Sequence, residues 1–118
     1  VEKMKNVVVI GVASRAEVNA RFLRAVETGK AQGAYRSFES TTELWQTISP
    51  KRWLVLQAMT GAGALSLREL ARRLERDVKG VHTDVHTLLN AGLLDKTDEG
   101  KIIFPFDAVH VDFMLQAA

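Results

Sequence analysis

The stretch Leu65-Ser-Leu-Arg-Glu-Leu-Ala-Arg-Arg-Leu-Glu-Arg-Asp-Val-Lys-Gly-Val-His-Thr-Asp-Val-His-Thr-Leu-Leu-Asn-Ala-Gly-Leu-Leu94 holds two amphipathic segments with a very short break between them. Ser66-Leu-Arg-Glu69 is a capping-box pattern, in which the serine accepts from a backbone N–H and the glutamate reaches back to the serine amide. It opens a helix with Leu67, Leu70, Ala71 and Leu74 on the inner face. Glu75-Arg76 turn the chain, and Asp77 is of the residue class that caps a helix start. In the helix that follows, spanning 78–91, Val78, Val81, Val85, Leu88 and Leu89 recur at helical spacing as an inward stripe. Asn90-Ala-Gly-Leu93 ends it, with Gly92 suited to the left-handed position past a helix and Leu93 to the apolar closing contact.

Upstream, Ser49-Pro50 starts a helix, serine as cap and proline in the first turn, and Trp53, Leu54, Leu56, Gln57 and Met59 follow. Gly61 stops it, and Ala64-Leu65 can form a short strand. Downstream, Leu94 to Phe104 reads as a hairpin turning at Thr97-Asp-Glu-Gly100, with Ile102 and Phe104 on one face. Helix, loop, helix, tight turn, helix and hairpin form the order of a winged helix-turn-helix, here over residues 49–106. The tight turn sets the third helix across the second, one face inward and the other proud. Such a helix fits the major groove of B-DNA, about 12 Å wide. Lys79, Gly80, His82, Thr83 and His86 are the expected base contacts. Gly80 costs the helix about 1 kcal/mol against alanine. Close approach of the backbone to DNA would account for it, and so would tolerance within a capped first turn. Lys51, Arg52, Arg68, Arg72, Arg73 and Arg76 are the expected phosphate contacts, with Lys96 and Lys101 on the wing. The wing tip itself is Asp98-Glu99, which disfavours minor-groove insertion. Asp84 is expected to pair with a basic side chain such as Arg73 and to hold the third helix in place.

The flanking segments complete an α+β fold. Residues 1–48 form a β-α-β-like element. Val7-Val-Val-Ile-Gly-Val12 is a β-branched strand, and Ser14-Arg-Ala-Glu17 is a capping box. The helix it opens lines up Val18, Phe22, Ala25 and Val26 and ends at Gly29 and Gly33. Ala34–Glu39 is a second strand, and Thr41 or Thr42 caps a short helix with Leu44, Trp45 and Ile48. In residues 107–118, Val109, Val111, Phe113 and Leu115 alternate with His110, Asp112 and Met114 as a half-buried strand. Strands this short are unstable alone. Val7–Val12, Ala34–Glu39 and Val109–Leu115 are therefore expected to share one small sheet, which a homodimer could complete. Trp45 and Trp53 are expected in the core between their helices.

Composition narrows the function classes. The 118 residues contain no cysteine, which removes disulfides and thiolate metal sites and suits a reducing compartment. No apolar run approaches the ~20 residues of a membrane span, so a cytoplasmic location is expected. The net charge is only +2, but Arg68, Arg72, Arg73, Arg76 and Lys79 crowd the middle of the chain. That cluster favours nucleic acid over a winged helix used only for protein contacts. His82 and His86 have zinc-chelating spacing, yet Thr83 stands where a zinc protease carries glutamate and no third ligand is near in sequence, so no metal site is expected. No phosphate loop, nucleophile–base pair or carboxylate dyad is present, so neither catalysis nor a cofactor is expected.

Ser49-Pro-Lys-Arg-Trp53, Leu65–Leu74, Val81–Leu88 and Ala91-Gly-Leu-Leu94 resemble the MarR/ArsR-like winged-helix regulators. More narrowly, nearly the whole chain resembles a family of small prokaryotic DNA-binding proteins, some of them antitoxin-like. The resemblance implies a dimeric, sequence-specific transcription regulator that binds double-stranded DNA. For the antitoxin-like members it also implies capture of a small toxin, here through the N-terminal element.

Overall fold

The β-branched run Val7–Val12 becomes β1, the central strand of a three-stranded sheet. The computed structural model describes residues 6–29 and 34–115. After β1 come α1 (Arg15–Thr28), β2 (Ala34–Phe38), α2 (Thr41–Thr47), α3 (Pro50–Met59), α4 (Leu67–Leu74) and α5 (Val78–Asn90). The chain ends with β3 (Asp95–Lys96), β4 (Ile102–Ile103) and β5 (Ala108–Asp112), giving an α+β fold. β1 lies between β2 and β5 and runs parallel to both, so the first and last segments do share a sheet. Gly33, expected to help end the first helix, lies outside the described residues. Gly29 does end it, at φ 69°.

Alternation along β1 sends Val8 and Ile10 to one face, where both are buried. They join a continuous core with Phe38, Leu44, Val55, Leu56, Met59, Leu70, Val81, Val85, Leu88, Leu93 and Phe104. The segments 1–48, 49–106 and 107–118, distinct in sequence, thus pack around one core. On the other face, Tyr35 leans over Gly11, and a Cβ there would lie 2.9 Å from the tyrosine hydroxyl. Arg21 of α1 stacks on the Tyr35 ring at 4.2 Å.

Local signals placed most helix starts. Ser14, Ser49 and Ser66 each accept from the backbone N–H three residues on, and at α2 Ser40 does so in place of the expected Thr41 or Thr42. At Ser14 the box closes, because Glu17 accepts from the Ser14 N–H, a bond that holds the Glu17 carboxyl below its ordinary pKa. At Ser66 the expected reciprocal contact is replaced, since the Glu69 carboxylate accepts from Arg72 and Arg73 instead.

Burial corrects several expectations. No residue of α1 is buried, and Phe22 is 67% exposed, so its apolar stripe does not enter the core. Trp45 is 55% exposed and meets Phe113 edge to face at 5.8 Å. With Trp53 it borders an open apolar groove instead of filling the core between its helices. Val78 is exposed and drops out of the inward stripe. β5 stops at Asp112, short of the expected Leu115, where its register with β1 ends.

Candidate nucleic-acid interface

The outward helix is built from its two ends. α4 closes at Glu75, a non-glycine residue at φ 52° whose N–H reaches back to the Ala71 and Arg72 carbonyls. Arg76 N–H also donates to Ala71 O. Asp77 then caps α5, accepting from the Lys79 and Gly80 N–H groups at 3.0 and 3.3 Å. Left-handed geometry at a single glutamate lets the chain reverse in three residues. At the far end Gly92 stands at φ 78°, with Leu93 N–H on Leu88 O and Gly92 N–H on Leu89 O. This is a Schellman closure, as the sequence implied. Arg36 of β2 donates to Gly92 O at 2.9 Å and ties this end of α5 to the sheet.

Val81, Val85 and Leu88 are buried, while Lys79, His82, Thr83 and His86 stand exposed on the opposite side. Asp84 lies on the border and is 7% exposed. Its carboxylate is gripped from two sides. Arg52 Nε donates to Oδ1 at 3.0 Å, and Arg76 Nη1 sits 2.9 Å from Oδ2. The second approach is an ion pair without hydrogen-bond alignment, as both its atoms are buried without a hydrogen-bond partner. Arg52 also donates to the Gln46 and Thr47 carbonyls at the end of α2. One guanidinium therefore joins α2, α3 and α5. The expected Asp84–Arg73 pair does not form; Arg73 donates to Glu69, one turn earlier on its own helix, at 2.8 Å.

The candidate phosphate contacts now separate. Arg52 and Arg76 are turned inward, with side chains 20% and 25% exposed, and serve Asp84. Lys51, Arg68, Arg72 and Arg73 are exposed on α3 and α4. Arg72 and Arg73 share Glu69, whose carboxyl is held down to about 2 by the Arg72 hydrogen bond first and the Arg73 bond second. Gly80 is half-buried under Arg76: a Cβ there would meet Arg76 Nη2 at 3.2 Å and Asp77 Oδ2 at 3.3 Å. The glycine thus leaves room for the Arg76 side chain, a packing reason that sequence spacing did not reveal.

The hairpin closes beside α5. Thr97 N–H donates to Lys101 O and Gly100 N–H to Thr97 O, and Leu65 pairs with Ile102 as a single antiparallel bridge. Lys96, His82 and His86 line a shared crevice between helix and hairpin, floored by Val85, Leu89 and Ile102. The two imidazoles lie 4.5 Å apart. Among the described residues no group of three histidine, cysteine or acidic side chains is placed to hold a metal. Nor does any described helix have the length and apolarity to cross a membrane.

The family model HVO_A0114 matches residues 47–111, from the end of α2 through α5 and the hairpin into β5. The chain belongs to the HVO_A0114 family. The family match includes Arg52, Arg76 and Asp84 and every candidate contact residue, and it leaves out α1 and the first two strands. No curated protein and no solved structure matches the chain.

Proposed function

We propose that residues 49–106 are a winged helix-turn-helix and that the protein is a sequence-specific DNA-binding transcription regulator. The observation that carries this is α5. It is clamped on its inner border by Asp84 and leaves Lys79, His82, Thr83 and His86 exposed together, beside a hairpin that adds Lys96. Lysine, threonine and histidine donate to base acceptors, and threonine also suits a thymine methyl. Lys51, Arg68, Arg72, Arg73, Lys96 and Lys101 supply the sequence-blind attraction to phosphate. Arg52 and Arg76 act indirectly, by fixing the helix that reads.

Binding to sequences selected from random duplex DNA tests this. Joint replacement of Lys79 and Thr83 by alanine is expected to relax discrimination by about 1–3 kcal/mol at the affected base pairs. Replacing Arg72 and Arg73 weakens binding to every sequence and flattens its salt dependence by about one unit per lost phosphate contact. If the folded protein selects no sequence and both double variants bind as wild type does, the DNA function is wrong.

A second role rests on α1. Its exposed Phe22, Leu23 and Val26 form an apolar face in the segment outside the family match, which supports capture of a small toxin or another protein by the N-terminal element.

A further inference from the structure

We propose that β5 and the adjoining tryptophan groove form a two-fold interface with a second copy of this chain, joining two three-stranded sheets edge to edge. Among the described residues β5 has no strand neighbour beyond β1. Ala13 N–H donates to Phe38 O, so the odd residues of β1 turn their backbone groups to β2 and the even ones turn theirs to β5. In the register of β5 on β1, Ala108, His110 and Asp112 therefore direct their N–H and C=O groups to β1, and the Asp112 carbonyl lies against Gly11. Val109 and Val111 then direct theirs to the open edge. An antiparallel copy related by a two-fold axis at His110 sets His110 against the partner's His110. The same axis sets Val109 against the partner's Val111 as a hydrogen-bonded pair, so all the outward groups of the strand find partners in one register. Edges that stay unpaired are commonly guarded by lysine, proline or a bulge. β5 carries neither residue and runs in unbroken register with β1.

The side chains follow the same symmetry. Val109 and Val111 pair in register with the buried Val8 and Ile10 and so face the helical layer. In the antiparallel register Val109 meets the partner's Val111, beside Trp53, which borders both valines. The groove beyond them, about 440 Å³, is walled by Leu44, Trp45, Ile48 and Pro50. Trp45 is 55%, Trp53 36% and Phe113 36% exposed. With aromatic side chains offering ~150–250 Å² each, these groups present roughly 200–300 Å² of apolar surface. A stable interface needs about 800 Å² per partner, a little over half of it apolar. The aromatic patch supplies roughly half or more of that apolar share, and the strand edge adds main-chain hydrogen bonds. The opposite edge, β2, does not compete: there Arg36 occupies the helical side and reaches to Gly92 O.

Sedimentation of the whole chain tests the interface without DNA, so its outcome is separate from that of the DNA function. Wild type is expected at twice the chain mass at micromolar concentration. Val111→Pro removes an outward N–H that the chain's own sheet does not use, and is expected to give monomer with native circular dichroism. Trp45→Glu, at an exposed position, is expected to raise the dimer Kd about thirtyfold or more, as loss of a tryptophan anchor does. Phe22→Glu on α1 should leave the dimer intact. A monomeric wild type at high concentration overturns the proposal, as does a dimer that survives both interface changes or one that Phe22→Glu dissociates. If Val111→Pro does not fold, Trp45→Glu alone decides.

Discussion

Replacing Asp84 by alanine leaves two guanidinium groups facing a space that held their counter-charge. Breaking a buried ion pair by removing one partner costs about 3–5 kcal/mol, chiefly through the uncompensated charge left behind. Here the arginines are 20% and 25% exposed, and Arg52 keeps the Gln46 and Thr47 carbonyls as acceptors. Part of that cost is therefore relieved, and about 2–4 kcal/mol is expected. For a domain of this size each kcal/mol lowers Tm by about 3–6 °C, so the melting point should fall by roughly 6–24 °C. The legs of the cluster should differ. Arg52→Ala removes an aligned hydrogen bond to Asp84 and the carbonyl contacts on α2, whereas Arg76→Ala removes an ion pair without that alignment. Arg52→Ala is thus the costlier of the two. Arg73→Ala is the control. Its Glu69 contact is an exposed pair one turn apart, of little net worth in water. Urea denaturation with a constant m-value measures all four. The clamp is refuted if Asp84→Ala costs less than about 1 kcal/mol, or no more than Arg73→Ala.

Glu69 gives a pH signature. Its folded pKa, about 2, lies below the ordinary value of 4.5, so its contribution is present above about pH 4.5 and is lost as pH falls toward 2. Glu69→Gln should flatten the fall of Tm across that window, and added salt should shrink the difference; equal slopes for both proteins would contradict it. Gly92→Ala combines positive φ with a Cβ only 2.9 Å from Arg36 Nε. Left-handed backbone alone costs a non-glycine residue about 1–2 kcal/mol, so the change should exceed that and loosen the Arg36 tie. Gly100→Ala, with φ +83° and open space around it, should show the backbone cost alone in the same denaturation assay.

Much of the helical half was legible because its signals are local. Ser49-Pro50, Ser66, Asp77 and Gly92 each fix a helix end through the conformation or hydrogen bonding of one or two residues, and all four act as expected. The apolar spacing of α5 placed Val81, Val85 and Leu88 correctly. What failed depends on distance through space. The stripe on α1 has good helical spacing, but periodicity states only that a face is apolar, not that anything covers it. Trp45 and Trp53 are large and apolar, yet their burial depends on where β5 ends. Asp84 is expected as a tether for α5, and its two arginine contacts fit that role. Its aligned partner, Arg52, is not legible locally because it lies 32 positions away in sequence, on α3.

Arg76 and Gly80 show how such a long-range contact rewrites local chemistry. Arg76 sits in a cluster of exposed cations and, by composition, belongs with the phosphate contacts. Its position just after the left-handed Glu75 instead sends the side chain across the first turn of α5 toward Asp84. That path passes over Gly80, where a methyl group would press on Arg76 Nη2 at 3.2 Å. A glycine that weakens the helix by about 1 kcal/mol thus admits the arginine that fixes it. Lys79 and Thr83 flank this crossing and remain exposed. The same contact that withdraws one cation from the surface holds in place the helix face that carries the others.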